Sequence, residues 1–306
     1  MTLYPMVRDG NWWFSTGLTP DEYQVLPSTV ETLQRLFDER VGIPGVHFSN
    51  LTWHSLWRAN IRMVDRYRNG RIFLVGDAAH VHSPAEGEGM QTGIQDAYNL
   101  GWEIASALRG APDMLLDTYE DERLPIARQL LESTSARSQA FMRPSSITQT
   151  VTNVTTSKDA FADTTQLSIH YRGSTLACDL DEATIIRAGD RAPDAPGLHA
   201  SNGMQVRLFD VFRGTHFTLL VFGCQLTLQL PDVPNDFLRI YTIVRPGERI
   251  AASDGALIDT SGHAHHTYGI TNEALILVRP DGYIGLTGGS LDSDPIIDYL
   301  RGTTGR

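Results

Sequence analysis

The residues best suited to hold a polar cofactor lie in one continuous run, residues 71–97. Residues 72–75 are apolar and partly β-branched, as is typical of a central strand. Gly76 lets the backbone turn sharply, and Asp77 places a carboxylate at the carboxyl end of that strand. Ligands of open α/β sheets bind at this end, so the carboxylate is suited to accept hydrogen bonds from sugar-like hydroxyls.

A glycine-rich loop and a helix start follow this turn. Gly87, Gly89 and Gly93 would let backbone N–H groups point into a cavity where the next helix begins. A helix N-terminus stabilises negative charge, such as that of a phosphate. The spacing is not the dinucleotide fingerprint G-x-G-x-x-G, which follows a strand directly. Glycines that serve only turns are the alternative, and the complete order of strand, acidic turn, loop and helix favours a binding site.

The run resembles the second flavin-binding signature of the FAD-dependent aromatic hydroxylases, the single-component flavoprotein monooxygenases. The similarity extends over most of the chain and implies NAD(P)H- and O2-dependent hydroxylation of an aromatic or polyketide-like substrate. Its motifs are residues 65–68, Gly76, Asp77, Pro84, Gly89, Met90, residues 92–97, Asn99, Leu100 and residues 119–125.

The resemblance also implies roles for single residues. Asp77 would bind the ribityl chain of FAD, and Pro84 would border the flavin ring where oxygen reacts. The amides around Gly89, Met90 and Gln91 would face the pyrimidine edge of the ring. The cofactor-binding set is therefore predicted to be Gly76, Asp77, Pro84, Gly87, Gly89, Met90 and Gln91.

Two catalytic residues are predicted, Pro84 and His82. His80 and His82 alternate on an extended segment and so lie on one side, where either could act as acid or base. A structural role in the turn explains the two histidines at least as well. No metal site is predicted, because no carboxylate or cysteine cluster joins the histidines His263, His265 and His266 in sequence, and a solvated loop before the next strand is favoured.

The chain departs from the family at three loop positions. Glu86 replaces a glycine, Glu88 replaces a glutamine and Gln91 replaces an asparagine. Two added carboxylates would repel an anionic reduced flavin unless they point to solvent. Residues 1–75 also contain no βαβ unit with G-x-G-x-x-G, which needs about 30 residues. We therefore expect the chain to correspond to the C-terminal portion of such an enzyme.

The predicted fold class is α/β. It comprises the remnant of an FAD-binding/substrate domain (a mixed sheet plus helices) over residues 1–142, a Ser/Thr-rich linker over 143–170, and a thioredoxin-like α/β domain over 171–306. The thioredoxin-like resemblance rests on residues 189–193 and 278–283. Cys224 has no C-x-x-C partner, so thiol–disulfide chemistry is not expected there.

Apolar periodicity places the individual elements. Helices are predicted over residues 27–41, 92–108 and from 114 into the 130s, the last kinked or divided at Pro125. Strands are predicted over residues 71–75, 217–222, 238–244, 274–278 and 283–286. The inner face of the second helix is predicted to be Ile94, Ala97, Gly101, Ile104, Ala105 and Leu108. Trp13, Trp53 and Trp57 could line a substrate surface, although core packing is the favoured interpretation for most of them.

Composition limits the partners. The 306 residues carry a formal net charge of -11, which argues against nucleic acid as a partner. The N-terminus shows no signal-peptide pattern, and no apolar run approaches the ~20 residues of a membrane span. Two cysteines make no disulfide framework and favour the cytoplasm. The expected partners are a small aromatic substrate and either a second copy of the chain or a separate N-terminal flavin domain.

A second function from a different class stays open on the sequence. The absent fingerprint and the acidic loop are also consistent with a non-catalytic subunit or assembly module that completes or regulates a flavin-binding partner. Binding of FAD by the chain on its own would distinguish the enzyme from this alternative.

Overall fold

The computed structural model describes residues 2–6, 10–25, 27, 29–56, 60–82, 88–142, 165–181, 185–223, 234–248, 255–289 and 292–305. Within these residues, short strands and two long helices precede an eight-stranded mixed sheet. The α/β fold class is therefore confirmed.

The first elements are short. Predicted helix 27–41 is confirmed as α2, whose N-cap hydroxyl, that of Thr29, accepts from the Thr32 amide. The central strand predicted at 71–75 is wrong: β5 has two residues, pairs only with β4 among the described residues, and leaves Ile72 67% exposed. The elements up to residue 81 are β1 (Thr2–Pro5), β2 (Trp12–Ser15), α1 (Pro20–Val25), α2 (Val30–Arg40), β3 (Arg62–Met63), β4 (Arg68–Asn69), β5 (Ile72–Phe73) and β6 (His80–Val81).

Two helices carry the centre of this part, α3 (Gly89–Leu108) and α4 (Thr118–Met142). A 3-10 turn at Asp113–Asp117 precedes α4, and the helix continues through Pro125, so the predicted division is wrong. Residues on either side of the proline, Tyr119 and Arg123 before it and Ala127 after it, are fully buried, and their packing holds the helix together.

The predicted inner face of α3 is also wrong. Ile94 is 60% and Leu108 84% exposed, while a mostly polar stripe is buried instead. Asp96 and Asn99 bond to charged residues of α4 and of the segment after β13, while Thr92 and Glu103 bond to uncharged groups. Hydrophobicity alone does not predict such pairing. The buried residues of α3 are Thr92, Asp96, Asn99, Leu100, Trp102 and Glu103.

The sheet runs in the order β7-β14-β13-β10-β11-β12-β8-β9, with β10, β11 and β12 parallel and β13 antiparallel to β10. The central strands β10 and β13 are buried along their whole length, which explains their continuous apolar sequences. The four strands predicted from residue 217 onward are confirmed. The elements are β7 (Cys178–Asp179), β8 (Leu198–Ala200), β9 (Gln205–Val206), α5 (Leu208–Val211), β10 (Phe217–Phe222), β11 (Leu238–Val244), β12 (Ala256–Asp259), α6 (His263–Tyr268), β13 (Ala274–Val278), β14 (Ile284–Gly288) and α7 (Asp294–Thr304).

The sheet and the helices share one apolar core. Trp102 of α3 and Leu115 pack into the same cluster as Phe217 and Leu275 of the sheet. Most of the predicted linker lies outside the described residues, and within its last part Gln166 is buried and bonded to α3. The boundaries 1–142, 143–170 and 171–306, and the thioredoxin-like description, stay predictions.

A buried ion cluster also joins the sheet to the helices. Arg279, just after β13, donates to both carboxylate oxygens of Glu122 on α4 at 2.6 and 2.8 Å, and to Asp281 at 3.1 Å. Asn99 of α3 donates to Glu122 at 2.8 Å and to Asp281 at 3.2 Å. The guanidinium also lies 5.2 Å from the centroid of the Trp102 ring. These bonds connect positions up to 182 residues apart in sequence.

Two further predictions are corrected here. The histidines at 263–266 lie in a helix, α6, and not in a loop. His263 and His266 are exposed as expected, whereas His265 is buried with its Nδ1 2.8 Å from Asp259. Core packing is wrong for Trp53, which is 61% exposed and stacks on Trp13 at 5.2 Å. Trp57 and Cys224 lie outside the described residues.

Among the described residues, no helix combines the length and apolar character needed to cross a membrane. The cytoplasmic location stays a prediction.

Candidate functional site

The Gly76–Asp77 turn is held directly against the first turns of α3. Gly76 has a φ of +57°, a conformation that glycine adopts without strain. A Cβ at Gly76 would lie 3.4 Å from the Cα of Gly93, and a Cβ at Gly93 would lie 3.1 Å from the Cα of Gly76. The two glycines therefore let the turn and the helix approach backbone to backbone.

The predicted binding residues around this contact face outward. Asp77, Met90 and Gln91 are exposed, and Met90 is 71% exposed. Gly89 begins α3 beside His82, because a Cβ built on Gly89 would lie 3.6 Å from the His82 ring. The amides of this first turn have no carbonyl partner within the helix, and the N-cap residue Glu88 makes no side-chain capping bond to them. Within the described residues, an exposed carboxylate and the start of a helix thus border the same turn.

Pro84, Gly87 and Glu86 lie outside the described residues. Glu88 lies at the start of α3 and is only 5% exposed, so it does not point to solvent.

Asp96 is the central acceptor beneath the turn. Its Oδ2 accepts from the Gly76 amide at 3.2 Å and lies 2.6 Å from His80 Nε2, while its Oδ1 accepts from Arg123 Nε at 2.7 Å. Asp96 and Arg123 are completely buried, and His80 is 1% exposed. Burial alone would raise the pKa of Asp96, but the hydrogen bond from His80 and the charge of Arg123 lower it below its ordinary value.

The two predicted histidines form a chain that ends on Asp96. His80 Nδ1 lies 2.5 Å from His82 Nε2. A neutral His80 ring, whose Nε2–H donates to Asp96, accepts at Nδ1 from His82 Nε2, whereas a protonated His80 ring donates to it. Among the described residues, the remaining His82 nitrogen, Nδ1, is buried without a hydrogen-bond partner. Burial, followed by the neighbouring His80, lowers the pKa of His82 to about 4, so its ring is neutral at pH 7.

The sequence interpretation missed Asp96 and Arg123 as parts of the site. The missed signal is the spacing of polar residues in α3, where Thr92, Asp96, Asn99 and Glu103 recur every three or four positions and share one face. Polar residues that recur along one face of a helix, two of them charged, indicate buried pairing. Among the residues that the structure describes, no group of three or more histidines, cysteines or carboxylates is arranged to hold a metal.

Two families of known proteins match two separate segments of this chain. Residues 1–134 match the family described as FAD binding domain, and residues 215–305 match the phenol hydroxylase C-terminal dimerisation domain. A flavin-dependent monooxygenase of Mycobacteroides abscessus is 41% identical over 301 residues, which is 98% of this chain and 54% of that protein. The chain belongs to the FAD-dependent aromatic hydroxylases.

A second curated relative and a solved structure also match most of this chain along about half of their own length. Pentachlorophenol 4-monooxygenase of Sphingobium chlorophenolicum is 36% identical over 263 residues, covering 81% of this chain and 48% of that protein. The crystal structure of aklavinone-11 hydroxylase with FAD and aklavinone matches 95% of this chain and 53% of that one, with a TM-score of 0.66 and 26% identity. The chain thus spans about half the length of the curated relatives it matches.

Proposed function

We propose that this chain holds the ribityl and ring side of FAD in a monooxygenase that hydroxylates aromatic or polyketide-like substrates with NAD(P)H and O2. The observation that carries the proposal is the backbone contact of Gly76 with Gly93, which sets the exposed Asp77 carboxylate beside the start of α3. The relatives that this chain resembles are named as flavin-dependent and aromatic monooxygenases, which supports the same reaction class.

The exposed residues of the turn and of the helix start fit FAD, while the buried Glu88 carboxylate at the same helix start opposes an anionic reduced ring. Asp77 has an exposed carboxylate that can accept hydrogen bonds from ribityl hydroxyls. The amides of Gly89, Met90 and Gln91 can donate to the polar edge of the ring and favour negative charge there. Pro84 and Gly87 are proposed to complete this set, with Pro84 beside the ring. When bound, FAD supplies the activation of O2 and the transfer of one oxygen atom to the substrate.

His82 is proposed as a catalytic group of this site. Its ring is neutral at pH 7, and among the described residues its Nδ1 has no partner. Asp96 holds His80 in place and His80 holds His82, so the His82 ring can orient a phenolic substrate hydroxyl by hydrogen bonding. The aromatic stack of Trp13 and Trp53 offers an exposed flat surface for such a substrate.

The test is a titration of the purified chain with FAD, followed by absorbance and flavin fluorescence. We expect binding in the wild type and at least about tenfold weaker binding in Asp77→Ala, because a charged hydrogen-bond acceptor is lost. Asp117→Ala, which removes an equally charged exposed carboxylate away from the turn, is the matched control. Equal affinities of the two variants would refute the role of Asp77.

An assembly role is the second candidate function, and the match of residues 215–305 to a dimerisation domain favours it. In this alternative the chain is a non-catalytic subunit that pairs with a second copy or with a separate flavin-binding partner. A chain that stays free of FAD alone, but gains FAD with a separately expressed ADP-binding unit, would support it. Sedimentation analysis would show whether two copies associate, and FAD binding by the chain alone would exclude the non-catalytic form.

A further inference from the structure

Tyr171 lies between two buried ion clusters. We call Asp96, Arg123 and His80 the turn cluster, and Arg279, Glu122 and Asp281 the sheet cluster. Tyr171 belongs to neither of the two segments that match known families, residues 1–134 and 215–305. It is 4% exposed, so both of its contacts are shielded from water.

The side chain of Tyr171 contacts both clusters with different groups. Its hydroxyl accepts from Arg123 Nη1 at 3.0 Å. Its ring lies 5.4 Å from the Arg279 guanidinium carbon and packs on Tyr283 with centroids 4.1 Å apart. The backbone is fixed as well, because the Tyr171 amide donates to the Gly189 carbonyl at 2.7 Å.

Arg123 links Tyr171 to the Gly76–Asp77 turn through Asp96. Its Nε donates to Asp96, its Nη1 to Tyr171 and its Nη2 to the Thr92 carbonyl. Asp96 in turn accepts from the Gly76 amide. Loss of the Tyr171 hydroxyl would leave a buried guanidinium N–H without a partner. Arg123 then has to shift toward another acceptor, and Asp96 has to follow it.

We propose that Tyr171 is a positioning residue that couples Arg279 of the sheet to the Gly76–Asp77 turn through Arg123 and Asp96. The sheet thereby sets the position of the turn that would hold the ribityl chain. Only this last step, toward the flavin, rests on the proposed function. The coupling itself is a property of the protein without FAD.

The test uses Tyr171→Phe in the full chain, since this change removes one hydroxyl and keeps the ring against Arg279. Amide hydrogen exchange of Gly76, followed by NMR without FAD, is the direct readout. We expect exchange about tenfold faster than in the wild type, as befits a weakened hydrogen bond to a buried carboxylate. Exchange along β10 and β13 should stay unchanged, which separates local repositioning from general loss of stability.

Tyr283→Phe is the matched control. It removes a hydroxyl from the same aromatic pair, but one whose partner is Arg191 at 3.2 Å instead of Arg123. We expect Gly76 exchange within about twofold of the wild type in this variant. Wild-type Gly76 exchange in Tyr171→Phe, or equal acceleration in both variants, would overturn the proposal.

A second readout concerns the cofactor. FAD should bind about tenfold more weakly to Tyr171→Phe and with unchanged affinity to Tyr283→Phe. Unchanged FAD affinity together with faster Gly76 exchange would overturn the step toward the flavin and leave the coupling intact. Failure of the wild type itself to bind FAD would count against the proposed function, while the exchange comparison would still decide the coupling.

Discussion

At the scale of single residues, Asp96 carries the most consequential charge of the site. It lies between Arg123 and His80 with no exposure to solvent. Replacing it with asparagine leaves Arg123 buried without its carboxylate, and breaking such a pair costs about 3–5 kcal/mol. We expect Asp96→Asn to lower the free energy of unfolding by that amount in urea denaturation, and to abolish FAD binding.

The control for this prediction is Asp117→Asn. Asp117 pairs with Arg68 at 2.5 Å, but its side chain is 66% exposed, and exposed pairs contribute about 0.2–1 kcal/mol. A loss below 1 kcal/mol is expected. Similar losses of unfolding free energy in the two variants would mean that the buried Asp96 stabilises the fold no more than an exposed carboxylate does.

His82 makes stability depend on pH at the same scale. Its pKa falls from 6.5 to about 4 on folding, chiefly through burial. The unfolded chain therefore binds more protons between these values, and the stabilising contribution is complete above pH 6.5 and lost as the pH falls toward 4. We expect the free energy of unfolding to fall over this range in the wild type and to fall less in His82→Gln. NMR titration should find the His82 pKa near 4, and a value near 6.5 would contradict the buried geometry.

The exposed His170 supplies the control for the pH series. His170→Gln should reproduce the wild-type pH dependence, because this side chain is open to solvent. If both histidine variants flatten the profile equally, His82 has no special part in it.

The sequence predicted residues whose own type is informative. Gly76 and Asp77 are predicted as site residues because a glycine and a carboxylate after an apolar run are typical of a binding turn. Asp96 and Arg123 were not assigned, because each is defined by a partner 27 positions away. Such pairing depends on how two helices are packed, and a single sequence does not show it.

At the scale of elements, α3 combines two glycines with opposite surroundings. Gly93 abuts Gly76, whereas Gly101 has open space around the position of a Cβ. Alanine favours a helix over glycine by about 0.5–1 kcal/mol. We expect Gly101→Ala to raise the free energy of unfolding by about this amount. Gly93→Ala should not be stabilised in this way, because its Cβ would lie only 3.1 Å from the Gly76 Cα. The same substitution should weaken FAD binding.

Thermal denaturation and FAD titration of the two variants measure these effects. Gly101→Ala should bind FAD as the wild type does. Equal stabilisation by both substitutions, with FAD affinity retained, would show that the turn and the helix do not need their close approach.

The sequence predicted helices and strands correctly where a single apolar face or a continuous apolar run determines the structure. The helix α2 and the strands β10, β11 and β13 were found because apolar spacing and burial agree in them. The buried face of α3 was predicted wrongly, because its interior contacts are hydrogen bonds and ion pairs. The burial of His265 in α6 was not predicted for the same reason, because its partner Asp259 stabilises it inside the fold.

At the scale of the whole molecule, the helices and the sheet are joined by a shared apolar core and by buried charges. Trp102 packs against Phe217 with ring centroids 5.7 Å apart, and Arg279 bonds to Glu122 across 157 residues. An unpaired charge is costly in the protein interior. Separating the helices from the sheet would therefore expose Trp102 and leave Arg279 and Glu122 without each other. The two parts are therefore expected to unfold together, although chains of this size commonly unfold in stages.

Amide exchange of α3 and α4 reports on the helices, while amide exchange of β10 and β13 reports on the sheet. We expect both probes to give one unfolding transition in the wild type. Glu122→Gln should lower the free energy of unfolding that each probe reports by about 3 kcal/mol, because Arg279 loses one of its two carboxylates. Glu132→Gln, an exposed change on the same helix, should stay within about 0.5 kcal/mol. Two separate wild-type transitions, or a loss in Glu122→Gln confined to one probe, would show that the sheet and the flavin turn are stabilised independently.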